Sequence, residues 1–334
     1  MRRILLPLVA LLLAVLAYSG YWFYFAHRLG NQIAPWAEAR RAEGYDLRWQ
    51  AATVEGYPLA FRLRFAGATL AARRPYSYTL SAAEFRLAAT PWDFSRWRFT
   101  APRGARLEMP GTAMAFEAAT FDGAVSSESP GQTVVTLRAH ALAGEGLAQG
   151  LAIETAAAQI ALPLRAPASH LDTMLSLAVN FDTVTLPVAV PSFGPTIDIL
   201  SLTAQLKGSL PPGPLAAALA AWRDGGGTLE IESARLVWGK MSASLSGTLA
   251  LDEALQPMGA MSATMTSPEL VIDAAVASGN LRDRFAGLAK AALGIMAKPG
   301  ADGRQAVSLP VTVQSDQLFL GPAPVVRLPH IVWE

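Results

Sequence analysis

Cysteine is absent from this 334-residue chain. That excludes a disulfide framework, a thiolate metal site and a cysteine nucleophile. Histidine is nearly absent too, with His27, His140, His170 and His330 as the four in the chain. Charged residues make up only 16%, against roughly 25% in an average soluble protein. The charges present almost cancel, leaving a formal net charge of +1. A nucleic-acid partner calls for a clustered basic surface, so this balance argues against one. Catalytic and phosphate-binding signatures are missing as well: there is no GxSxG, Walker A, HExxH or GxGxxG. The triplet Gly225, Gly226 and Gly227 has no Lys-Ser or Lys-Thr after it and reads as a helix stop feeding a strand.

Apolar residues are plentiful, at 52%. Residues 4–26, ILLPLVALLLAVLAYSGYWFYFA, carry no charge, and about 20 such residues suffice to cross a bilayer. Ile4, Leu12, Trp22 and Phe25 mark this expected anchor. Arg2 and Arg3 precede it, while His27 and Arg28 follow. Tyr18, Tyr21, Trp22 and Tyr24 gather at its C-terminal end, where an aromatic belt would lie. The short basic N-terminal flank predicts a cytoplasmic N-terminus and export of everything after residue 28. A cleaved signal peptide is the competing reading, since AYS before Gly20 passes as a small-x-small site. Cleavage would leave YWFYFA as a bare hydrophobic terminus, so an uncleaved anchor is expected. The chain then divides into a membrane anchor, 1–28, and a periplasmic β-rich domain, 29–334.

Residues 29–43 predict a helix stopped by Gly44. Beyond it the period becomes two. Tyr45, Leu47 and Trp49 share a face, Gly56-Tyr57-Pro58 turns the chain, and FRLRF follows with Phe61, Leu63 and Phe65 opposite Arg62 and Arg64. Together these predict a hairpin. The alternation recurs in MLSLAVNF (174–181) and DILSLTAQL (198–206), and near the end in Val307, Leu309, Val311 and Val313. It is plainest in MSASLSGTLALD (241–252), followed by a linker with Pro257 and Gly259 and then MSATM (261–265). That pair reads as a long antiparallel hairpin with small hydroxyls on its second face. Helices are predicted at 212–224, at 267–278 with Ser267 as N-cap and Pro268 at the first position, and at 280–298. The last carries an apolar stripe of Leu281, Phe285, Leu288, Ala292 and Ile295 and ends at Pro299 and Gly300.

Candidate chemistry is thin. Arg62 and Arg64 could guard an edge strand or hold an anionic headgroup, with the guard or solvated face favoured. PWDFSRWRF (91–99) interleaves Trp92, Phe94, Trp97 and Phe99 with Arg96 and Arg98. It reads first as a packing segment, then as a membrane-surface contact. Glu230 and Glu232 share a strand face, and paired carboxylates can run acid–base chemistry; on a half-exposed strand they more often face water. His140 and His170 are isolated in sequence.

Four stretches taken together carry a resemblance: GYPLAFRLRF (56–65), AAWRDGGGTLEIESARLVWG (220–239), LSGTLALDEALQPMGAMSATM (245–265) and LGPAPVVRLPHIVW (320–333). The chain resembles the family known as domain of unknown function 2125, over nearly its whole length. That resemblance implies a membrane-anchored envelope protein of Gram-negative, chiefly alphaproteobacterial, cells. It brings no catalytic residues. A fainter similarity, in the strand, GTLALD and Pro-Gly turn pattern behind one anchor, is to AsmA-like envelope proteins, which resemble lipid carriers with long curved sheets.

The expected architecture is mainly β: a transmembrane helix, then a large antiparallel sheet curled into an open barrel or trough, with a few covering helices. The expected function is binding or carriage of lipid or another hydrophobic ligand in envelope maintenance. Acyl chains would lie against Leu245, Leu249, Met261 and Met265, with Arg62 or Arg64 near a headgroup. The main alternative is a structural or assembly protein of the envelope whose apolar faces are ordinary core. An envelope hydrolase using His140 or His170 is the weakest of the three, and no catalytic, metal or cofactor site is expected. The membrane is the expected partner, along with lipid.

Overall fold

The computed structural model describes residues 2–72, 77–127, 131–279, 282–299, 305–321 and 323–333. The chain forms two compact units, Met1–Glu128 and Ser129–Glu334. Both are built on antiparallel meanders.

The first unit opens with one continuous helix, α1 (Arg2–Ala42). The sequence suggests an anchor ending at residue 28 and a separate helix after it; the structure merges the two. No proline lies between Ala26 and Pro35, and both Gly30 and Pro35 are accommodated within the helix. The helix ends where Gly44 takes φ +97°, a left-handed conformation that suits glycine. Five strand paths follow. The first consists of β1 (Tyr45–Arg48) and β2 (Ala51–Glu55), which pair with β3 (Phe61–Ala72) in one register. Next to β3 lies β4 (Tyr78–Thr90). The fourth path, β5 (Asp93–Ala101) and β6 (Ala105–Met109), pairs with β4 on one side and with β7 (Met114–Ser126) on the other.

The alternation in FRLRF is realised: Phe61 and Leu63 are buried, while Arg62 and Arg64 face out. The edge-guard reading of those arginines is overturned, because β3 is an interior strand with partners on both sides. The apolar face is lined by rings. Phe85 stacks on Phe99 at 5.9 Å and Phe99 meets Phe121 at 5.8 Å. Helix α1 lies against this face, with Trp22, Ala26 and Phe61 forming a buried cluster flanked by Phe25, Leu29 and Val54.

The second unit contains β8 (Gln132–Gly146), β9 (Ala152–Pro163), β10 (Thr173–Val190) and β11 (Gly194–Lys207). A short helix, α2 (Leu215–Asp224), leads into β12 (Thr228–Trp238), β13 (Met241–Leu251) and β14 (Pro257–Thr266). Two helices, α3 (Glu269–Ala277) and α4 (Asp283–Met296), precede β15 (Lys298–Pro299), β16 (Gln305–Gln314), β17 (Gln317–Leu320) and β18 (Ala323–Arg327). Each strand from β8 to β13 pairs with its successor, and β14 then pairs with β16. Bulges interrupt the β11–β12 and β12–β13 ladders. Bulges of this kind strengthen the local right-handed twist.

Pro257 and Gly259 belong to β14, paired with Leu251 and Leu249, so the linker is shorter than the sequence suggests. Ser267 does not cap α3: it takes φ +52°, and Pro268 is the capping residue. The stripe on α4 is not covered, since Phe285, Leu288 and Ile295 are all exposed. Leu281 and Gly300 lie outside the described residues, as does the side chain of Ala292. The stop after α2 is as expected: the Gly225 and Gly227 amides donate to Ala221 and Trp222 carbonyls at 2.9 and 2.8 Å. The Trp222 indole fills the space beside Gly227, where any Cβ would collide with it.

Candidate functional site

Directly paired residues on neighbouring strands point to the same face of a sheet. In the second unit this rule produces an unbroken apolar row. Val135 of β8 faces Ile160 of β9, which faces Leu177 of β10, then Ala204 of β11. The row continues through Ile231, Gly247 and Met261 to Val311 and Leu320. A parallel row runs Leu137, Ala158, Val179, Leu202, Ala234 and Leu245, and on to Ala263 and Leu309. The face is kept apolar across the β12 bulge because one extra residue is absorbed there, restoring the alternation.

All four expected acyl-chain residues lie on this face. Leu245 is opposite Ala263, Met261 opposite Gly247, Leu249 opposite Gly259, and Met265 opposite Ala243. Each is half-buried. Toward β16 the face becomes deeply buried, at Val307, Val311 and Val313. Gly247 and Gly259 let the two strands approach closely. A Cβ at Gly247 would lie 2.4 Å from the Ala260 carbonyl oxygen, and one at Gly259 would lie 2.1 Å from that of Thr248.

The opposite face is polar. Ser242 and Thr266 hydroxyls meet at 2.9 Å, and Thr264 and Ser308 at 3.0 Å. Hollows of about 280 and 140 Å³ open between small residues such as Ala178 and Thr203. Glu230 and Glu232 sit on this side. Glu230 is salt-bridged to Lys207 at 2.7 Å, and the Gln205 amide donates to Glu232. The two carboxylates are thus each engaged by a neighbour on β11. His140 is exposed, 3.3 Å from the Thr155 hydroxyl, and His170 lies beside Gly226. Neither is brought to a carboxylate among the described residues. No grouping of three or more His, Asp or Glu side chains suited to a metal ion occurs among the described residues.

The arginines of FRLRF belong to the first unit. Arg64 lies directly opposite Arg86 across β3 and β4, an arrangement that repels by itself. Glu84 resolves it. Its buried carboxylate accepts from Arg64 Nε at 2.9 Å and from Arg86 Nε at 2.6 Å, with Arg103 Nε at 3.8 Å. Hydrogen bonds from Arg86 and Arg64 hold its carboxyl below the usual carboxylate range. Arg64 is therefore committed to Glu84, while Arg62 forms no ion pair among the described residues. Sequence reading missed Glu84, Arg86 and Arg103 as a set. The alternation in AAEFRLAA placed Glu84 and Arg86 on one face, but the register that sets them beside Arg64 is long-range.

Of the expected anchor, Leu12 is exposed on α1, Trp22 is buried, Phe25 is half-buried, and Ile4 lies in the first turns. The stretch of α1 from Pro7 onward is long and apolar enough to cross a membrane.

Residues 22–329 match the family described as an uncharacterized protein conserved in bacteria, DUF2125. The chain belongs to this family. For DUF2125 the match begins at Trp22, inside α1 and at the first residue of the buried helix–sheet cluster. No curated protein and no solved structure matches the chain, so the fainter AsmA-like similarity has no support from these comparisons.

Proposed function

We propose that this DUF2125 protein is a single-pass protein of the bacterial inner membrane, with its N-terminus cytoplasmic and its β units in the periplasm. There it binds or carries lipid, or another hydrophobic ligand, on the apolar face of its second unit, and acts by binding, not catalysis. The observation that supports this most is the apolar row crossing nine strands from Val135 to Leu320. A half-buried apolar surface of that extent is costly in water unless something covers it. Leu245, Leu249, Met261 and Met265 would contact acyl chains. Methionine suits the role because its flexible thioether adapts to irregular chains.

The test is photo-crosslinking of the full chain in vesicles containing a diacyl phospholipid with a photoactivatable acyl tail. Crosslinked peptides from residues 228–266 and 305–314 support the reading. Crosslinks confined to α1 overturn it.

A second reading is favoured by the deep burial of Val307, Val311 and Val313. In that reading the whole face is ordinary core and the protein is a structural or assembly component of the envelope. It predicts a defined protein partner and no lipid on the second unit.

A further inference from the structure

The apolar stretch of α1 and the strand ends of the first unit overlap in height. Helix and hairpin run side by side in opposite directions. Arg41 donates to the Leu47 carbonyl at 2.9 Å, Gly30 lies beside Val54, and the Trp22 indole donates to the Ala60 carbonyl at 3.2 Å. The turns at 56–60 and 91–92 are therefore level with the last part of the uncharged run. Tyr18 donates to the Pro58 carbonyl, the Ser19 and Tyr57 hydroxyls meet at 2.6 Å, and Tyr21 donates to the Pro91 carbonyl at 2.8 Å.

This docking limits how α1 can cross a bilayer. Residues 4–17, below the docked stretch, span only about 21 Å at about 1.5 Å per residue. The hydrocarbon core is roughly 30 Å thick. To cross, α1 must also bring the stretch from Tyr18 to about Phe23 to the upper boundary of that core, and that stretch carries the two turns with it. The turns are dressed for that position. Leu59 and Trp92 are each 68% exposed, and Tyr57 is exposed beside them. Apolar and aromatic side chains at turn tips suit the headgroup boundary.

Behind Trp92, on the polar face of the sheet, is a hollow of about 400 Å³ lined by Ala60, Arg62, Ala88, Arg96 and Arg98. Its floor follows from the register: Arg62 and Arg98 flank Ala88 on the two neighbouring strands. A small residue between two guanidinium groups leaves room for a phosphate. Asp93 also lines the hollow, but its carboxylate is taken up by the Ser95 amide and hydroxyl at 2.8 and 2.6 Å. Glu55 stands opposite Arg62 on β2. Arg62 and Arg98 form no ion pair among the described residues.

We infer that the turns at 56–60 and 91–92 form an interfacial foot, inserted into the headgroup layer of the bilayer that α1 crosses, with Arg62 and Arg98 holding an anionic phospholipid headgroup. The inference rests on the anchored reading of α1 and is independent of lipid carriage by the second unit. It assigns PWDFSRWRF two roles: Trp97 and Phe99 pack inward, while Trp92 and Arg98 meet lipid.

The absence of cysteine makes the test clean. L12C, L59C, W92C and T112C are each labelled with one nitroxide in the full chain, reconstituted into vesicles of phosphatidylcholine and phosphatidylglycerol. Collision with oxygen and with a water-soluble nickel chelate reads depth. Thr112 sits at the far end of the meander, beyond the Met109–Met114 pair. The expected result is label 12 in hydrocarbon, labels 59 and 92 at headgroup depth, and label 112 in water. Label 12 in hydrocarbon with 59 and 92 as wet as 112 overturns the foot and leaves the anchor standing. Label 12 in water overturns the anchor, and the foot with it. For the arginines, R62Q/R98Q is compared with R62K/R98K by native mass spectrometry of the detergent-solubilised full chain titrated with phosphatidylglycerol. The glutamine pair should retain about tenfold less of this lipid, with the lysine pair in between. Equal retention by both variants and the unsubstituted chain overturns the headgroup assignment.

Discussion

The indole of Trp22 lies stacked on the ring of Phe61, centroids 5.2 Å apart. Trp22 is 3% exposed and Phe61 is fully buried. A residue that sequence alone places in an interfacial belt is thus a core residue of the first unit, joining helix to sheet. Large aromatic rings bring both buried area and an oriented contact to such a junction.

Trp22→Ala should destabilise the first unit by about 3–5 kcal/mol, the usual cost of truncating a buried tryptophan. Trp92→Ala, at an exposed turn tip, should change stability by no more than about 0.5 kcal/mol. Chemical denaturation of the detergent-solubilised full chain checks both. Equal effects would mean that the helix does not pack on the sheet as described.

Glu84 should give the first unit a distinctive acid limb. Its folded pKa is depressed, by hydrogen bonds from Arg86 first and Arg64 second. The unfolded chain therefore binds more protons than the folded one in the acid range, so stability rises with pH there. The contribution is present above the ordinary Glu pKa of about 4.3 and is lost as pH falls through the lower folded value. Glu84→Gln should lower stability at neutral pH, because three arginines lose their shared counter-charge, and it should flatten the acid limb. Melting temperatures across a pH series decide it; parallel curves for the two proteins would refute the assignment.

Two glycines in the second unit should respond in opposite directions. Gly247→Ala forces a Cβ to 2.4 Å from the Ala260 carbonyl at a φ of +153°. It should disrupt the β13–β14 ladder at a cost of about 2 kcal/mol or more. Gly287→Ala, on α4 with open space around it, should stabilise that helix by about 1 kcal/mol. Hydrogen exchange of the two segments reads both changes separately.

The lipid reading can be tested on adjacent residues of opposite facing. Leu249 lies on the apolar face and Thr248 on the polar one. If the apolar face holds acyl chains, Leu249→Glu should abolish crosslinking to the photoactivatable lipid at residues 228–266, while Thr248→Glu leaves it intact. Circular dichroism must first show that both variants keep their strand content.

Much of this fold was legible because alternation is a local property. The run from Met241 to Leu251 writes its two faces into consecutive residues, and the strand appears where the pattern lies. The triple glycine after Asp224 marks a helix end by conformational freedom alone. Legibility fails where a residue's meaning depends on a distant partner. Ser267 looks like a cap, but the chain enters α3 one residue later. The stripe on α4 looks like a packing face, yet Ile295 is 87% exposed.

The uncharged helix, the β-rich character, the faces of most strands and the two-faced FRLRF segment follow from the order of residues alone, because hydropathy and period two are read between neighbours. That Arg64 serves Glu84, that Trp22 belongs to a core, and that nine strands align their apolar residues into one face emerge when the chain is folded. Those outcomes depend on register, and register is set by pairing between residues far apart in the chain, where a shift of one residue would turn every side chain to the other side.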